Sequence, residues 1–190
     1  LINSSINKHI SADQIICLDH PWYYKGFIQD QVSKLPKWIV LINRKIFLNR
    51  ASKFNCPKKI FLDRSSSRFN HCQIFNQIVM NKWVKKKNLN IFKPEKLPFK
   101  KQIHLFKNAS VILGAHGAAF TNIIFCKPGT KIIEIIPSNH PNKKCERISK
   151  ILKLKYFRII TKPDNTDKNF PYRIHLEKKH LKMIEKAINL

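Results

Sequence analysis

Leu113-Gly-Ala-His-Gly-Ala-Ala-Phe-Thr-Asn122 is the stretch of this sequence best suited to chemistry. Its small residues allow a tight turn after a strand, and His116 and Gly117 fall where a helix would begin. Unpaired backbone N–H groups at such a start attract phosphate, aided by the helix dipole. Gly117, Ala118 and Ala119 would let a diphosphate approach the backbone closely, with Asn122 one turn further on. His116, at the strand end, can donate to a phosphate oxygen or carry a proton. The competing interpretation is an ordinary strand-to-helix turn with an internally satisfied histidine and glycines that serve packing.

Two further segments carry candidate ligands. Arg64-Ser-Ser-Ser-Arg68 directly follows an apolar strand. Two guanidiniums four residues apart lie on one side of a helical turn, and arginine binds phosphate oxygens bidentately. Ser65 and its neighbours could line the same loop or cap a helix. Glu134 stands alone inside Lys131-Ile-Ile-Glu-Ile-Ile-Pro137. A carboxylate in an apolar strand is costly unless paired or functional. At a strand end of a nucleotide-binding domain such an acid takes ribose hydroxyls; otherwise it forms an ion pair.

Composition makes these residues conspicuous. Of 190 residues, 37 are Lys or Arg and 11 are Asp or Glu, a formal net charge of +26. That charge points to nucleic acid or an anionic membrane surface, but 30 of the cations are Lys, alongside 28 Ile and 17 Asn. This is the signature of adenine- and thymine-rich codons, which accounts for most of the lysine. Against that bias, three of the four glycines (Gly114, Gly117, Gly129) and three of the seven alanines fall within 16 residues. At 43% apolar the chain is too hydrophobic for a disordered basic tail, and no apolar run reaches the roughly 18 residues of a membrane helix. The first residue is Leu rather than Met, so a preceding segment is expected. Cys17, Cys56, Cys72, Cys126 and Cys145 form no C-x-x-C motif and read as reduced structural thiols, with a zinc site from distant ligands as the minority reading.

Positioning these residues requires alternating strands and helices. Pro36 opens a helix with Trp38, Ile39, Ile42 and Ile46 at helical spacing. Strands are expected at 58–63, 88–92, 110–114, 131–136 and 156–160. Helices are expected at 71–87 (stripe Ile74, Phe75, Ile78, Val79, Trp83), 102–108, 117–125, 146–154 and 176–188, with a loop over 161–174. The alternation predicts an α/β fold, a Rossmann-like parallel sheet with flanking helices. Residues 1–35, with a short strand at 15–18 and His20-Pro-Trp-Tyr-Tyr24, read as a connector or remnant of another domain, and 36–190 as the Rossmann-like donor-binding domain.

Taken in order, several motifs resemble the C-terminal half of glycosyltransferase family 61. They are Arg64-Ser-Ser-Ser-Arg68, Asn76, Gln102-Ile-His-Leu-Phe106, Ala109, Ile112-Leu-Gly-Ala-His-Gly-Ala-Ala-Phe-Thr-Asn122, Phe125, Pro128-Gly129 and Ile133-Glu-Ile-Ile-Pro137. The likeness covers roughly residues 36–137 and departs from the family pattern at Asn76-Gln77 (often Asn-Glu) and at Ala118-Ala119-Phe120. It implies the C-terminal domain of a GT-B transferase holding a nucleotide-sugar donor, expected to be UDP-linked, as substrate, with no other cofactor. Arg64, Ser65 and Arg68 would bind the diphosphate, His116, Gly117, Ala118 and Asn122 would belong to the phosphate turn, and Glu134 would hold the ribose. Its acceptor would be a glycan or lipid-linked glycan in polysaccharide biosynthesis, on the cytoplasmic side, with room for peripheral contact at the inner face of a membrane.

That chemistry is inverting attack of an acceptor hydroxyl on the anomeric carbon, with arginines and a helix start stabilising the leaving diphosphate. The sequence contains no D-x-D motif, so metal-independent transfer is expected and no metal ligand is assigned. The general base is not identified; Asp19, His20 and Asp30 are not assigned to it. Two alternatives compete. A basic nucleic-acid-binding Rossmann-like domain would use Trp22, Tyr23 and Tyr24 beside Lys25, but no recognised binding motif accompanies them and no specific nucleic acid is expected. A methyltransferase-like enzyme lacks its Gly-rich first turn here.

Overall fold

The computed structural model describes residue 13 and residues 34–66, 71–140, 142–164 and 172–190. The strands and helices alternate as the sequence predicts. In chain order they are α1 (Lys37–Leu48), β1 (Lys59–Leu62), α2 (Gln77–Lys86), β2 (Asn90–Phe92), α3 (Phe99–Asn108), β3 (Val111–Ala115), a 3₁₀ helix (Ala118–Phe125), β4 (Lys131–Pro137), α4 (Lys144–Leu152), β5 (Lys155–Thr161), the short pair β6 (Pro163–Asp164) and β7 (Arg173–Ile174), and α5 (Lys178–Asn189). The first five strands form one all-parallel sheet in the order β2-β1-β3-β4-β5. The expectations for residues 1–35 fall almost wholly outside the described residues, as does Arg68.

Strand alternation divides the core between the two faces of this sheet. Ile60, Leu62, Ile112 and Ile132 pack against α1, α3, the 3₁₀ helix and α4, through residues such as Phe106, Phe120 and Ile148. Phe61, Leu113, Ile133 and Ile135 face α2 and α5, through Met80, Val84 and Ile184. The crossover after β1 therefore leaves by one face and the connection after β3 by the other. In an open α/β sheet that divergence opens a crevice beyond the carboxyl ends of the two adjacent strands, where ligands bind. Here it lies between Leu62 and Ala115.

Local structure differs from expectation in four places, one of them the β6–β7 pair inside the expected loop 161–174. Residues 71–76 are turns rather than helix: Cys72 has φ of 54°, in the left-handed region, and Ile74 bridges Ile174, so α2 starts only at Gln77. The helix after Gly117 is 3₁₀ rather than α, and its last carbonyls are held by Arg44 Nη1, which donates to Ile124 O at 2.6 Å and Cys126 O at 2.7 Å. The apolar stripes of α1 and α2 also point outward. Trp38 and Ile46 are exposed, Ile78 is 74% exposed, and the packed sides are carried instead by Val40, Met80 and Val84. Among the described residues, no helix is long and apolar enough to cross a membrane.

Candidate functional site

The end of β3 builds the site. Gly114 is opposite Glu134 in the β3–β4 register. A β-carbon on Gly114 would meet Leu62 Cβ at 3.0 Å and Phe120 Cε2 at 3.3 Å, so glycine leaves this face of β3 to its neighbours. His116, two residues on, faces the same side, and its backbone N–H extends the pairing by donating to Ile135 O at 2.8 Å. Its ring thus leans over Glu134. His116 Nδ1 lies 2.5 Å from Glu134 Oε1, and both side chains are buried.

Glu134 is 1% exposed. Its second oxygen, Oε2, accepts a 2.6 Å hydrogen bond from the Tyr156 hydroxyl, and Cys145 on α4 adds a third donor. Burial alone would raise this carboxyl, but the hydrogen bond from His116, the charge of that ring whenever it is protonated, and the hydrogen bonds from Tyr156 and Cys145 outweigh it and hold the group below its usual range. The cost falls on the partners. Burial and then the Glu134 charge push the Tyr156 phenol and the Cys145 thiol up. An ionised carboxylate only accepts, so His116 carries a proton on Nδ1. Its Nε2 has no hydrogen-bond partner among the described residues.

After the turn, the first helical bond runs from Phe120 N–H to Gly117 O at 3.1 Å. The amides of Ala118 and Ala119 precede that bond and lie outside the 3₁₀ ladder. Arg64, just past the end of β1, reaches across the crevice, and its guanidinium fills the space a β-carbon on Gly117 would take. Nη2 of Arg64 also donates to His71 O at 3.2 Å. Burial works against its charge, so an anion arriving here would meet a poorly hydrated cation.

The structure brings Arg64, His116, Gly117, Ala118 and Glu134 together at this crevice. Ser65 is turned to another partner: its N–H and hydroxyl donate to the buried carboxylate of Asp63 at 2.8 and 3.1 Å. Asn122 is tied to α3 by a 2.8 Å bond from Nδ2 to Gln102 Oε1. Asp63 does not figure in the sequence reading; its signal was an Asx turn, an acid closing an apolar strand two residues before a serine.

The sequence reading also misses a ring cluster beside His116. His71, His140 and Tyr172 pack edge to face, with centroids 5.1 Å apart from His71 to each of the others and 4.3 Å from His116 to His140. Burial, with the neighbouring His116 ring, lowers both His71 and His140, the latter to about 4. The only linear signal was the adjacency of His71 and Cys72. Their ligand atoms and that of His140 lie within 4.8 Å of one another, as do those of His116, Glu134 and Cys145. In both sets the ligand atoms are engaged in hydrogen bonds. His140 Nδ1 accepts from Asn142 N–H at 3.3 Å, so Nε2 carries the proton and donates to His71 Nε2 at 3.3 Å. The second set is spent on the hydrogen bonds of Glu134. Cys72 is a buried thiol pushed up to about 12 by burial.

Comparison with known proteins gives the chain its family. The model of the family described as Glycosyltransferase 61 matches residues 4–133, well over half the chain. The chain belongs to glycosyltransferase family 61. The family 61 match contains Arg64, Ser65, Arg68, His116, Gly117, Ala118 and Asn122, and it stops one residue before Glu134. The β-1,2-xylosyltransferase RCN11 of Oryza sativa subsp. japonica is 38% identical over 60 residues, 32% of this chain and 11% of that protein. A β-1,2-xylosyltransferase of Arabidopsis thaliana is 40% identical over 60 residues, with the same shares. The chain thus matches only a small part of the length of these two family 61 relatives.

Proposed function

We propose that this chain is the donor-binding part of a glycosyltransferase, resembling the C-terminal domain of a two-domain GT-B enzyme, and that it holds a nucleotide-sugar by its diphosphate in the crevice between β1 and β3. The observation that carries this reading is the approach of Arg64 to the Gly117 turn. A cation, a glycine without a β-carbon and two amides outside the helical ladder converge where an open α/β sheet binds ligands. The family resemblance adds Arg68 to the same diphosphate.

In this reading the transfer is inverting and independent of metal. As the bond between the anomeric carbon and the diphosphate breaks, charge accumulates on the departing phosphate oxygens. Arg64, Arg68 and the amides of Ala118 and Ala119 would stabilise that charge more than the ground state, which is what accelerates the reaction. Arginines supply the counter-charge that a D-x-D-bound cation supplies elsewhere. The acceptor is a glycan or lipid-linked glycan in polysaccharide biosynthesis, met in the cytoplasm or at the inner face of a membrane.

Calorimetry with a panel of nucleoside diphosphates tests the reading. The names of the plant relatives make UDP-xylose the first complete donor to try. At 100-fold excess over its dissociation constant, a true ligand stabilises the fold by about 2.7 kcal/mol, and Arg64→Ala should remove that effect. Absence of binding by every nucleoside diphosphate would overturn the proposal.

A further inference from the structure

We infer that Glu134 is a positioning residue, which fixes the ring of His116 and offsets the charge that ring takes on when a diphosphate binds, rather than a ligand of the donor's ribose. The inference rests on the donor-binding reading above and changes the role the family resemblance implies for this acid. Glu134 is 1% exposed, and both of its oxygens are already engaged, Oε1 with His116 Nδ1 and Oε2 with Tyr156. The carboxylate has lone pairs to spare, so burial is what bars a ribose hydroxyl, which would have to enter the core between β4 and α4 to reach it.

The arrangement has a direct consequence for His116. With one proton on Nδ1 and committed to Glu134, a neutral ring can only accept at Nε2. A phosphate oxygen also only accepts. The two can hydrogen-bond only if the ring takes a second proton from solvent onto Nε2, giving an imidazolium between the diphosphate and the Glu134 carboxylate. The Nε2 lone pair forms an N–H bond as hydronium or a buffer acid gives up that proton and keeps the electron pair; no other bond changes. The Glu134 charge then keeps a buried imidazolium from standing uncompensated. Tyr156 and Cys145, behind Glu134, hold the carboxylate in line.

Two measurements on the intact chain decide the matter. Long-range proton–nitrogen NMR spectra of the free protein should show His116 protonated at Nδ1. A spectrum with Nδ1 bare overturns the inference whether or not any nucleotide binds. Calorimetry with UDP in buffers of different ionisation enthalpy should show net proton uptake at a pH where the free ring is neutral. Glu134→Gln keeps an acceptor for Nδ1 but not the charge. It should lose the uptake and weaken UDP roughly tenfold to a hundredfold, the range for a hydrogen bond to a charged group. Uridine, which keeps the ribose and lacks the phosphates, should bind both forms equally, whereas a ribose ligand would lose uridine and UDP alike. If Glu134→Gln does not fold, Tyr156→Phe serves as the milder variant, with a smaller loss of the same kind. Wild-type UDP affinity and proton count in the variant would overturn the inference. Failure of UDP to bind the wild type would instead sink the donor reading, leaving the spectrum to judge Glu134.

Discussion

The guanidinium of Arg64 occupies the space that a β-carbon on Gly117 would take. Gly117 has an extended backbone with φ of 168°, so any residue could adopt its conformation; the glycine is required for room. Because what fills that room is the end of a flexible side chain, Gly117→Ala should cost the fold less than about 1 kcal/mol. Displacing the guanidinium should nevertheless weaken nucleoside diphosphate binding by about tenfold or more. Parallel thermal melts and calorimetry check the split. A variant that loses stability while keeping wild-type affinity would show that Arg64 does not need this position.

Acid should weaken the fold through Glu134. Its carboxyl is held below the ordinary 4.5, so its contribution is complete above that value and is lost as pH falls through the lower, folded value. The groups facing it are His116, Tyr156 and Cys145, with Cys72 and His140 further out. Melting temperature should therefore drop below about pH 4.5, and Glu134→Gln should lose less over the same interval. Parallel wild-type and variant curves would mean that Glu134 adds nothing to the acid transition.

Gly114→Ala tests the floor beneath His116. The new methyl would stand 3.0 Å from Leu62 Cβ and 3.1 Å from Leu62 O, a backbone atom that cannot swing aside. Overpacking of this kind costs roughly 1–3 kcal/mol, to be read as a fall in the urea midpoint at constant slope. Gly114 and Gly117 thus separate: the first substitution should damage stability, the second binding.

The strand positions and the rare polar residues were legible in the sequence for different reasons. Runs such as Val111–Ala115 and Lys131–Pro137 are short, apolar and bounded by turn residues, which is what a buried parallel strand demands. Arg64, His116 and Glu134 stood out against a lysine- and isoleucine-rich background. The same background hid the helix faces. Isoleucine is so common that α1 and α2 carry apolar residues on both sides, and helical spacing alone picks the exposed side, with Trp38 55% and Ile78 74% exposed. Glu134's partners were invisible for another reason. Tyr156 is brought to it by the β4–β5 register and Cys145 by the docking of α4, and neither lies near it in sequence.

Arg44 offers a stability prediction separate from the crevice between β1 and β3. Its Nη1 bridges the carbonyls of Ile124 and Cys126 at the far end of the 3₁₀ helix, where a cation also complements the helix terminus. Arg44→Met keeps much of the apolar stem that packs along α1 and removes both bonds. Charge-assisted bonds to two half-buried carbonyls predict a loss of roughly 2 kcal/mol, measured by urea unfolding. The opposite end of the same helix, at Ala118 and Ala119, keeps its amides, so UDP affinity should stay within about twofold of wild type. A large loss of affinity at unchanged stability would mean that Arg44 sets the geometry of the Gly117 turn through the helix itself.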